Sequence, residues 1–385
     1  MRLLIVLMLS IVLAGCGQQE VGIPGAGSVT GEPPPELQPN VQEATVLRFA
    51  WIDLGGHLML LDPDSGASSP VLTKIDPFDA PPAWSDSGSV IAYRSEDGTL
   101  MRADLASGTS ETIATPASVS AIAISPYGKK LAWVSDGELS VWTGADIKVV
   151  EGIERAVAAA WSPDATRLAV GCMGEDEDQD GGVWLVDGVL RATQIVPASD
   201  DWGSPQQIRW SPDGQWLAWS RGAGDGWFGD LSRSDGSDLR RDVIGGGPIA
   251  WFPDSRAILV SLPIEAGAAR TGVYRFEDGS LTPIGPENWD SMAALSPDGA
   301  HVAAWGSDGH LLIRDMASEE ELWPADLQVK WAAWGRGGRL ALVLEEGVWI
   351  GNARAEGRVV AEVEGDTAAA RWIALPVTKT EASSA

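Results

Sequence analysis

A short motif recurs along residues 83–375 and constrains the fold of this chain more than any other feature. Each copy is an apolar run that ends in Trp or an aliphatic residue and is followed by Ser-Pro-Asp-Gly or a variant. The copies are AWSDSG at 83–88, ISPYG at 124–128, WSPDA at 161–165, WSPDG at 210–214, WFPDS at 251–255, LSPDG at 295–299, WGRGG at 334–338 and a degenerate RWIAL at 371–375. We call the residue before each turn the marker residue; these are residues 84, 124, 161, 210, 251, 295, 334 and 372.

The pattern inside each unit indicates strands rather than helices. Segments such as KLAWVSDGELSVW (130–142) and QWLAWSRG (215–222) alternate at period two or are wholly apolar, and Gly, Asp and Ser separate them. A helical repeat would need a sustained period of 3.6 residues, which no stretch shows. The markers are about 41 residues apart, within the roughly 40–45 residues typical of a propeller blade. The sequence therefore predicts an all-β propeller of about eight four-stranded blades; seven or six remain open if a weak copy is misread.

The two ends of the repeat region predict how the ring closes. Before the first marker, residues 46–55, 57–66 and 70–73 match the second, third and fourth strands of a unit whose first strand is missing. Residues 368–376 match a first strand with nothing after it. One C-terminal and three N-terminal strands would form a composite blade and leave no open sheet edge. The predicted propeller covers residues 45–376.

The repeated turn resembles that of the TolB-like propellers, which are distant relatives of the WD-repeat proteins. The resemblance covers most of residues 45–375 and implies the fold. That family includes binding scaffolds and accessory domains of enzymes, so the resemblance implies no single function.

The N-terminus predicts export and lipid anchoring. Arg2 precedes the apolar run Leu3–Leu13, which is shorter than the roughly 20 residues of a membrane-spanning helix. Leu13-Ala-Gly-Cys16 resembles the lipobox of bacterial lipoproteins, in which residues 1–15 would be a cleaved signal peptide and Cys16 the acylated first residue. The alternative is an ordinary secretory signal with a cysteine at the cleavage point. Residues 16–44 are rich in Gly, Pro and polar residues and predict a flexible stalk, and 377–385 predict a disordered tail.

The net charge limits the binding partners to be expected, and the cysteine content limits the possible disulfides. The formal net charge is -27, which argues against nucleic acid or anionic lipid headgroups as partners of the folded surface. With Cys16 assigned to the lipid, Cys172 has no partner for a disulfide and is expected to be a small buried hydrophobe.

Ligand contacts are expected on one face of the propeller. The loops between second and third strands, and those between blades, emerge together, and the irregular ones are 171–182, 198–206, 221–227, 262–271 and 285–291. The candidate residues on this face are Trp202, Trp227, Trp289, Asp200, Asp201 and Asp225. Trp beside carboxylates suits a sugar or a peptide. The alternative is that these tryptophans cover the ends of the blades.

Residues 176–181 form a D-x-D-x-D-G pattern. Its carboxylates Asp176, Asp178 and Asp180 could converge on Ca²⁺, and Asp187 occupies the twelfth position of such a loop. An EF-hand would have flanking helices and Glu at that last position, whereas GVWLVDG reads as a strand. A solvated acidic hairpin is the alternative, and no other cofactor is predicted.

Catalytic motifs are few. The sequence has no Gly-x-Ser-x-Gly elbow, and His57, His301 and His310 have no metal-ligand spacing.

The leading hypothesis is a non-catalytic propeller, lipid-anchored on the extracytoplasmic side of the cell membrane, that binds an envelope protein, peptide or cell-wall glycan. The alternative is a carbohydrate-active enzyme with two carboxylates roughly 5–10 Å apart in a central pocket.

Overall fold

Each copy of the repeated motif forms the first strand of a separate antiparallel sheet. The computed structural model describes residues 45–78, 80–175, 179–223, 226–263, 269–287, 289–324, 327–345, 347–362 and 367–376. Their strands form eight sheets, which we number as blades 1 to 8 from the first marker residue. The predicted all-β propeller of eight four-stranded blades is confirmed.

The strands run in order from the innermost to the outermost within each blade. In blades 1 to 4 they are Ala83–Trp84, Val90–Arg94, Leu100–Asp104, Thr109–Ala114; Ala121–Ile124, Leu131–Ser135, Glu138–Trp142, Ile147–Val149; Ala156–Trp161, Leu168–Met173, Gln179–Val186, Ala192–Val196; and Pro205–Trp210, Trp216–Ala223, Gly226–Arg233. Blade 3 gains a short strand, Ser199–Trp202, and a single bridge between Leu231 and Arg240 marks the outer edge of blade 4.

The remaining blades follow the same plan. In blades 5 to 8 the strands are Gly247–Trp251, Ala257–Pro263, Ala269–Arg275, Leu281–Pro283; Ser291–Leu295, His301–Gly306, Leu311–Asp315, Glu321–Leu322; Val329–Trp334, Arg339–Leu344, Val348–Asn352, Gly357–Ala361; and Thr367–Pro376, Thr45–Asp53, Leu58–Leu61, Ser68–Leu72. A 3-10 turn at Arg336–Gly338 replaces the usual turn of blade 7. No helix in the described part of the chain is long and apolar enough to cross a membrane.

Blade 8 is the predicted composite blade. Its innermost strand is C-terminal and pairs antiparallel with the N-terminal strand from Thr45↔Pro376 to Asp53↔Thr367. The two ends of the described chain thus complete one sheet, which closes the ring without leaving an unpaired edge between the first and last repeats.

A buried apolar cluster lies between each pair of neighbouring blades. Between blades 2 and 3, for example, Leu139 and Val141 pack against Leu168 and Val170. Between blades 8 and 1, Ile52 packs in a cluster with Trp84, so the last blade contacts the first. The core is therefore divided among eight interfaces, because each sheet buries both of its faces.

The Ser-Pro-Asp-Gly turn is held by its own side chains. In blade 6 the Ser296 hydroxyl donates to Asp298 at 2.6 Å and accepts from the backbone N–H of His301 at 2.9 Å. Asp298 also accepts from the N–H of Ala300 at 3.1 Å. The turn therefore has a structural role, since these bonds satisfy the backbone groups that the reversal exposes.

The propeller has two distinct ends. We call the end that carries the Ser-Pro-Asp-Gly turns the turn face. The opposite end, where second strands connect to third strands and one blade connects to the next, is the loop face. In blades 1 to 7 the innermost strand ends at its marker residue, so the marker residues lie near the turn face; in blade 8 the innermost strand continues past Trp372 to Pro376.

Candidate functional site

Blades 3, 4 and 5 carry long hairpins that extend the loop face. Their second and third strands remain paired as far as Met173↔Asp180, Ala223↔Gly226 and Pro263↔Ala269. In blades 1 and 2 the same strands have only five residues each. We call the described residues of these hairpins, 168–175 and 179–186, 216–223 and 226–233, and 257–263 and 269–275, the hairpin rim.

The prediction of irregular loops at 171–182, 221–227 and 262–271 was therefore wrong in part, because much of these segments is strand. Glycines hid the strand pattern, since Gly has low β-propensity. The structure shows why one of them is there: a Cβ at Gly171 would collide with the carbonyl oxygen of Pro205 in blade 4. The glycine allows two blades to approach closely beneath the rim.

A network of buried charges lies at the base of the rim, between blades 3 and 4. Arg221 donates to Asp230 from Nε at 2.6 Å, and from Nη2 to Asp242 at 2.7 Å. Arg241 donates from Nη1 to Asp230 at 2.9 Å and to Asp180 of blade 3 at 2.8 Å. Ion pairs between buried groups with this many hydrogen bonds fix the geometry of the elements that carry them.

Electrostatics favour the charged form of the arginine that joins the two blades. Burial lowers the pKa of Arg241. The hydrogen bond to Asp180 and the charges of Asp230 and Asp180 outweigh burial, so the pKa is raised. The guanidinium therefore stays protonated and keeps the two hairpins connected.

Asp180, one of the three candidate calcium ligands, belongs to this network. Its side chain is 1% exposed. One oxygen accepts from the backbone N–H of Gly182 at 2.7 Å, and the other accepts from Ser199 and Arg241. Asp176 and Asp178 lie outside the described residues. Within the described residues, no three His, Cys, Asp or Glu side chains form a group that could hold a metal ion.

The hairpin of blade 4 exposes two aromatic side chains near its tip. Trp227 and Phe228 are 43% and 41% exposed. Trp227 lies over Gly222, where a Cβ would come within 2.8 Å of its ring, and Phe228 lies 5.9 Å from the Arg221 guanidinium. Both rings are supported from below by described residues, so the exposed faces are presented to solvent in a defined orientation.

The other candidate residues on the loop face have different positions. Trp289 is 9% exposed, donates from Nε1 to Asp308 at 3.4 Å and packs against Trp323 between blades 5 and 6. That position favours the alternative in which Trp covers the end of a blade. The backbones of Asp200, Asp201 and Trp202 lie in the extra strand of blade 3, but their side chains are outside the described set, as is Asp225.

Arg221, Asp230 and Arg241 are not among the site residues predicted from the sequence. Arg221 ends the apolar alternation of residues 215–222, and a charged residue at a core-facing strand position is a usable signal. Its partners carry no such signal, because Arg241 lies in an irregular segment 61 residues after Asp180.

Comparisons with known proteins support the fold alone. Apo AztD from Citrobacter koseri is similar over 86% of this chain and 99% of its own, at 13% identity and a TM-score of 0.61. Dihydro-heme d1 dehydrogenase NirN in complex with DHE is similar over 86% of this chain and 73% of its own, at 16% identity and a TM-score of 0.58. TolB from Acinetobacter baumannii is similar over 85% and 66%, at 15% identity; its TM-score of 0.44 adds nothing to the argument.

Neither a protein-family model nor a curated protein sequence matches this chain. At these identities the similar structures carry no residue roles across, and the function has to be argued from the site itself.

Proposed function

We propose that this chain is an extracytoplasmic, lipid-anchored propeller whose hairpin rim binds an envelope protein, a peptide or a cell-wall glycan. The observation that carries the proposal is the pair of exposed aromatic rings, Trp227 and Phe228, on a hairpin whose base is fixed by buried ion pairs. Large aromatic groups that are held rigidly contribute much contact area at low entropic cost, which is the usual property of binding hot spots.

The asymmetry of the propeller supports this location. Only three neighbouring blades contribute to the hairpin rim, so a partner would meet a raised surface on one side of the loop face rather than a flat ring. The network of Arg221, Asp230, Arg241 and Asp180 connects the hairpins of blades 3 and 4. A surface that is ordered before binding loses little conformational freedom on contact.

The alternative of a carbohydrate-active enzyme finds less support in the described residues. Asp180 and Asp230 are a close pair of carboxylates, since both accept from the same nitrogen of Arg241. Both are at most 1% exposed. A glycosidase needs one carboxyl group to protonate the substrate and another to reach its anomeric carbon or a water molecule. Buried carboxylates bound by arginines are poorly suited to either role.

The proposed anchor rests on Cys16 and the lipobox-like residues before it. Several acyl chains on one residue would hold the protein at the membrane, because each buried CH₂ contributes roughly 0.8 kcal/mol. The Cys16→Ser variant should move from the membrane fraction to the soluble fraction. A variant that stays with the membrane would contradict the lipid anchor while leaving the rim proposal intact.

Photo-crosslinking in intact cells tests the binding surface. A photoreactive phenylalanine analogue in place of Phe228 should yield a discrete crosslinked product. The matched control is the same analogue in place of Tyr127, which is 60% exposed on the opposite, turn face of blade 2. Products from Tyr127 and none from Phe228 would overturn the assignment of the rim.

A further inference from the structure

The residue before the marker differs in two blades out of eight. In six blades it is alanine: Ala83, Ala123, Ala160, Ala250, Ala294 and Ala333. In blade 4 it is Arg209, and in blade 8 it is Arg371. Blades 4 and 8 stand on opposite sides of a ring of eight. The two arginines therefore start from the same layer of innermost strands around the central channel, near the turn face, and each side chain reaches toward the following blade.

Water reaches this layer from the channel. Ala159 and Ala160 of blade 3 and Ile122 of blade 2 are partly exposed, although they lie on innermost strands whose two sides face neighbouring blades. Because those blades cover the sides, the exposure has to come from the axis of the ring.

Where the preceding blade has alanine and the marker residue is tryptophan, the tryptophan side chain donates a hydrogen bond to the backbone of the preceding innermost strand. Four marker tryptophans donate from Nε1 to the carbonyl of that alanine: Trp161 to Ala123 at 3.3 Å, Trp210 to Ala160 at 2.9 Å, Trp334 to Ala294 at 3.1 Å and Trp372 to Ala333 at 3.1 Å. Trp251 follows Arg209 instead of alanine. Its Nε1 is buried and has no hydrogen-bond partner among the described residues.

Arg371 also has an unused donor. The residue is 7% exposed, and its guanidinium lies 5.3 Å from the centre of the Trp84 ring. Nε and Nη2 donate to the carbonyls of Trp372 and Asp86, each at 3.3 Å. Nη1 is buried and has no partner among the described residues. A buried N–H without an acceptor is destabilising, so an acceptor that reaches this nitrogen would be bound favourably.

Arg209 is surrounded mostly by protein atoms, although part of the residue is exposed to solvent. Nε donates to the carbonyl of Pro248 in blade 5 at 3.2 Å, and no bond of the other two nitrogens to a described residue is found. Burial lowers the pKa of Arg209 to about 10, and that of Arg371 to about 10 against the opposing charge of Asp86. Both side chains remain positively charged at neutral pH.

These two cations lack the carboxylate partners that the composition makes abundant. The chain has 54 acidic and 27 basic side chains. Other arginines find acidic partners, as Arg94 does with Asp76 at 2.6 Å and Arg102 with Glu111 at 2.8 Å. Neither Arg209 nor Arg371 makes an ion pair with a described residue. The charge of Arg209 is thus left for something else to neutralise, and that of Arg371 is balanced only in part, by the nearby charge of Asp86.

We propose that the channel layer of Arg209 and Arg371, near the turn face, binds a small organic carboxylate. The guanidinium fork matches the two oxygens of a carboxylate, and the surplus donors of Arg371 and Trp251 supply further N–H groups on the same layer. The surrounding alanines and tryptophan rings suit the carbon skeleton of an organic acid. Phosphate has no carbon skeleton to contact these groups, so it serves as the comparison anion.

Calorimetric titration of the full-length protein with succinate, and separately with phosphate, tests this site. We expect saturable binding of succinate and an accompanying rise in the midpoint of thermal unfolding, because a ligand that binds the folded state stabilises it. The Arg209→Ala variant should bind succinate at least about tenfold more weakly, given the strength of charge-assisted bonds. The Arg209→Lys variant, which keeps the charge without the fork, should bind with intermediate affinity.

Two further variants complete the test. Arg371→Lys should also weaken succinate binding, and a thermal unfolding scan shows that it is folded. The matched control is Arg358→Ala, an exposed arginine on the outermost strand of blade 7, which should bind like the parent. Unchanged affinity in both Arg209→Ala and Arg371→Lys would overturn the proposal. So would saturable binding of phosphate without binding of succinate. None of these outcomes bears on the hairpin rim, because the two sites lie near opposite faces.

Discussion

Arg241 Nη1 lies 2.8 Å from Asp180 Oδ2, so a residue that follows the last strand of blade 4 neutralises a buried carboxylate of blade 3. The same nitrogen lies 2.9 Å from Asp230 Oδ2. This contact joins two blades that also meet through apolar packing, the Trp210–Ala160 hydrogen bond and the hydrogen bonds of Arg167 to Gly214 and Ser234. It fixes the position of the blade 3 hairpin relative to the blade 4 hairpin at the base of the hairpin rim.

Removing the charge of Asp230 should destabilise the protein strongly. Asp230 is 0% exposed, and its loss leaves Arg221 and Arg241 with fewer acceptors in a buried site. Asp230→Asn is therefore expected to lower the free energy of unfolding by about 3–5 kcal/mol. The control is Glu111→Gln, which removes the partner of Arg102 in an exposed pair and should cost less than about 1 kcal/mol. Urea unfolding measures both; similar losses would show that the buried pairs are not special.

Two tryptophan variants should separate hydrogen bonding from packing. Trp334→Phe removes the Nε1 bond to the Ala294 carbonyl, whereas Trp251→Phe removes an N–H that has no partner among the described residues. Both residues are buried marker residues that pack between blades. We expect Trp334→Phe to lower the free energy of unfolding by about 1 kcal/mol more than Trp251→Phe does. Equal losses of unfolding free energy in the two variants, measured by urea unfolding, would contradict the claim that only the Trp334 N–H makes a stabilising hydrogen bond.

The fold was predictable because the repeat is local in sequence. In blades 3, 4 and 6 the turn contains its own Ser-Pro-Asp, and each marker residue belongs to its own blade, so the motif could be recognised copy by copy. The composite blade followed from counting strands at the two ends of the array. Both inferences needed only the number and order of strands.

The candidate sites were harder to predict, for two different reasons. Asp180 appeared within a run of carboxylates, and its actual partner, Arg241, comes from a segment with no repeat pattern. Side-chain contacts between irregular segments depend on backbone geometry that composition does not encode. Arg209 and Arg371, by contrast, stand out when the repeats are aligned by marker residue, because they interrupt a column of alanines. That signal is present in the sequence itself.

Cys172 should be unreactive in the folded protein. It is 3% exposed, as its predicted role of a buried hydrophobe requires, and burial raises the pKa of its thiol to about 12. The thiolate is the reactive form, so both its concentration and its accessibility are low. We expect iodoacetamide at pH 8 to label Cys172 only in denaturant, as followed by intact mass in the Cys16→Ser background. Rapid labelling of the native protein would place the thiol at the surface.

Asp86 should make stability depend on pH in a characteristic way. Burial raises its pKa above the ordinary value of 3.8, and Arg371 opposes that shift only partly. The folded state therefore holds the proton more tightly than the unfolded chain does. As the pH rises from below 3.8 through the raised folded pKa, this group lowers the free energy of unfolding. Asp86→Asn removes that loss, so the variant should gain stability relative to the parent across this window and keep the gain above it.

Asp298 provides a control of opposite sign. The hydrogen bond from Ser296 is the main cause that lowers its pKa. Its contribution is present above pH 3.8 and is lost as the pH falls through the lowered folded pKa. Asp298→Asn should therefore lose stability relative to the parent as the pH rises, while Asp86→Asn gains it. Denaturant unfolding between pH 3 and pH 7 measures both differences. If the two difference curves slope in the same direction, the pKa of Asp86 is not raised by burial in the folded protein.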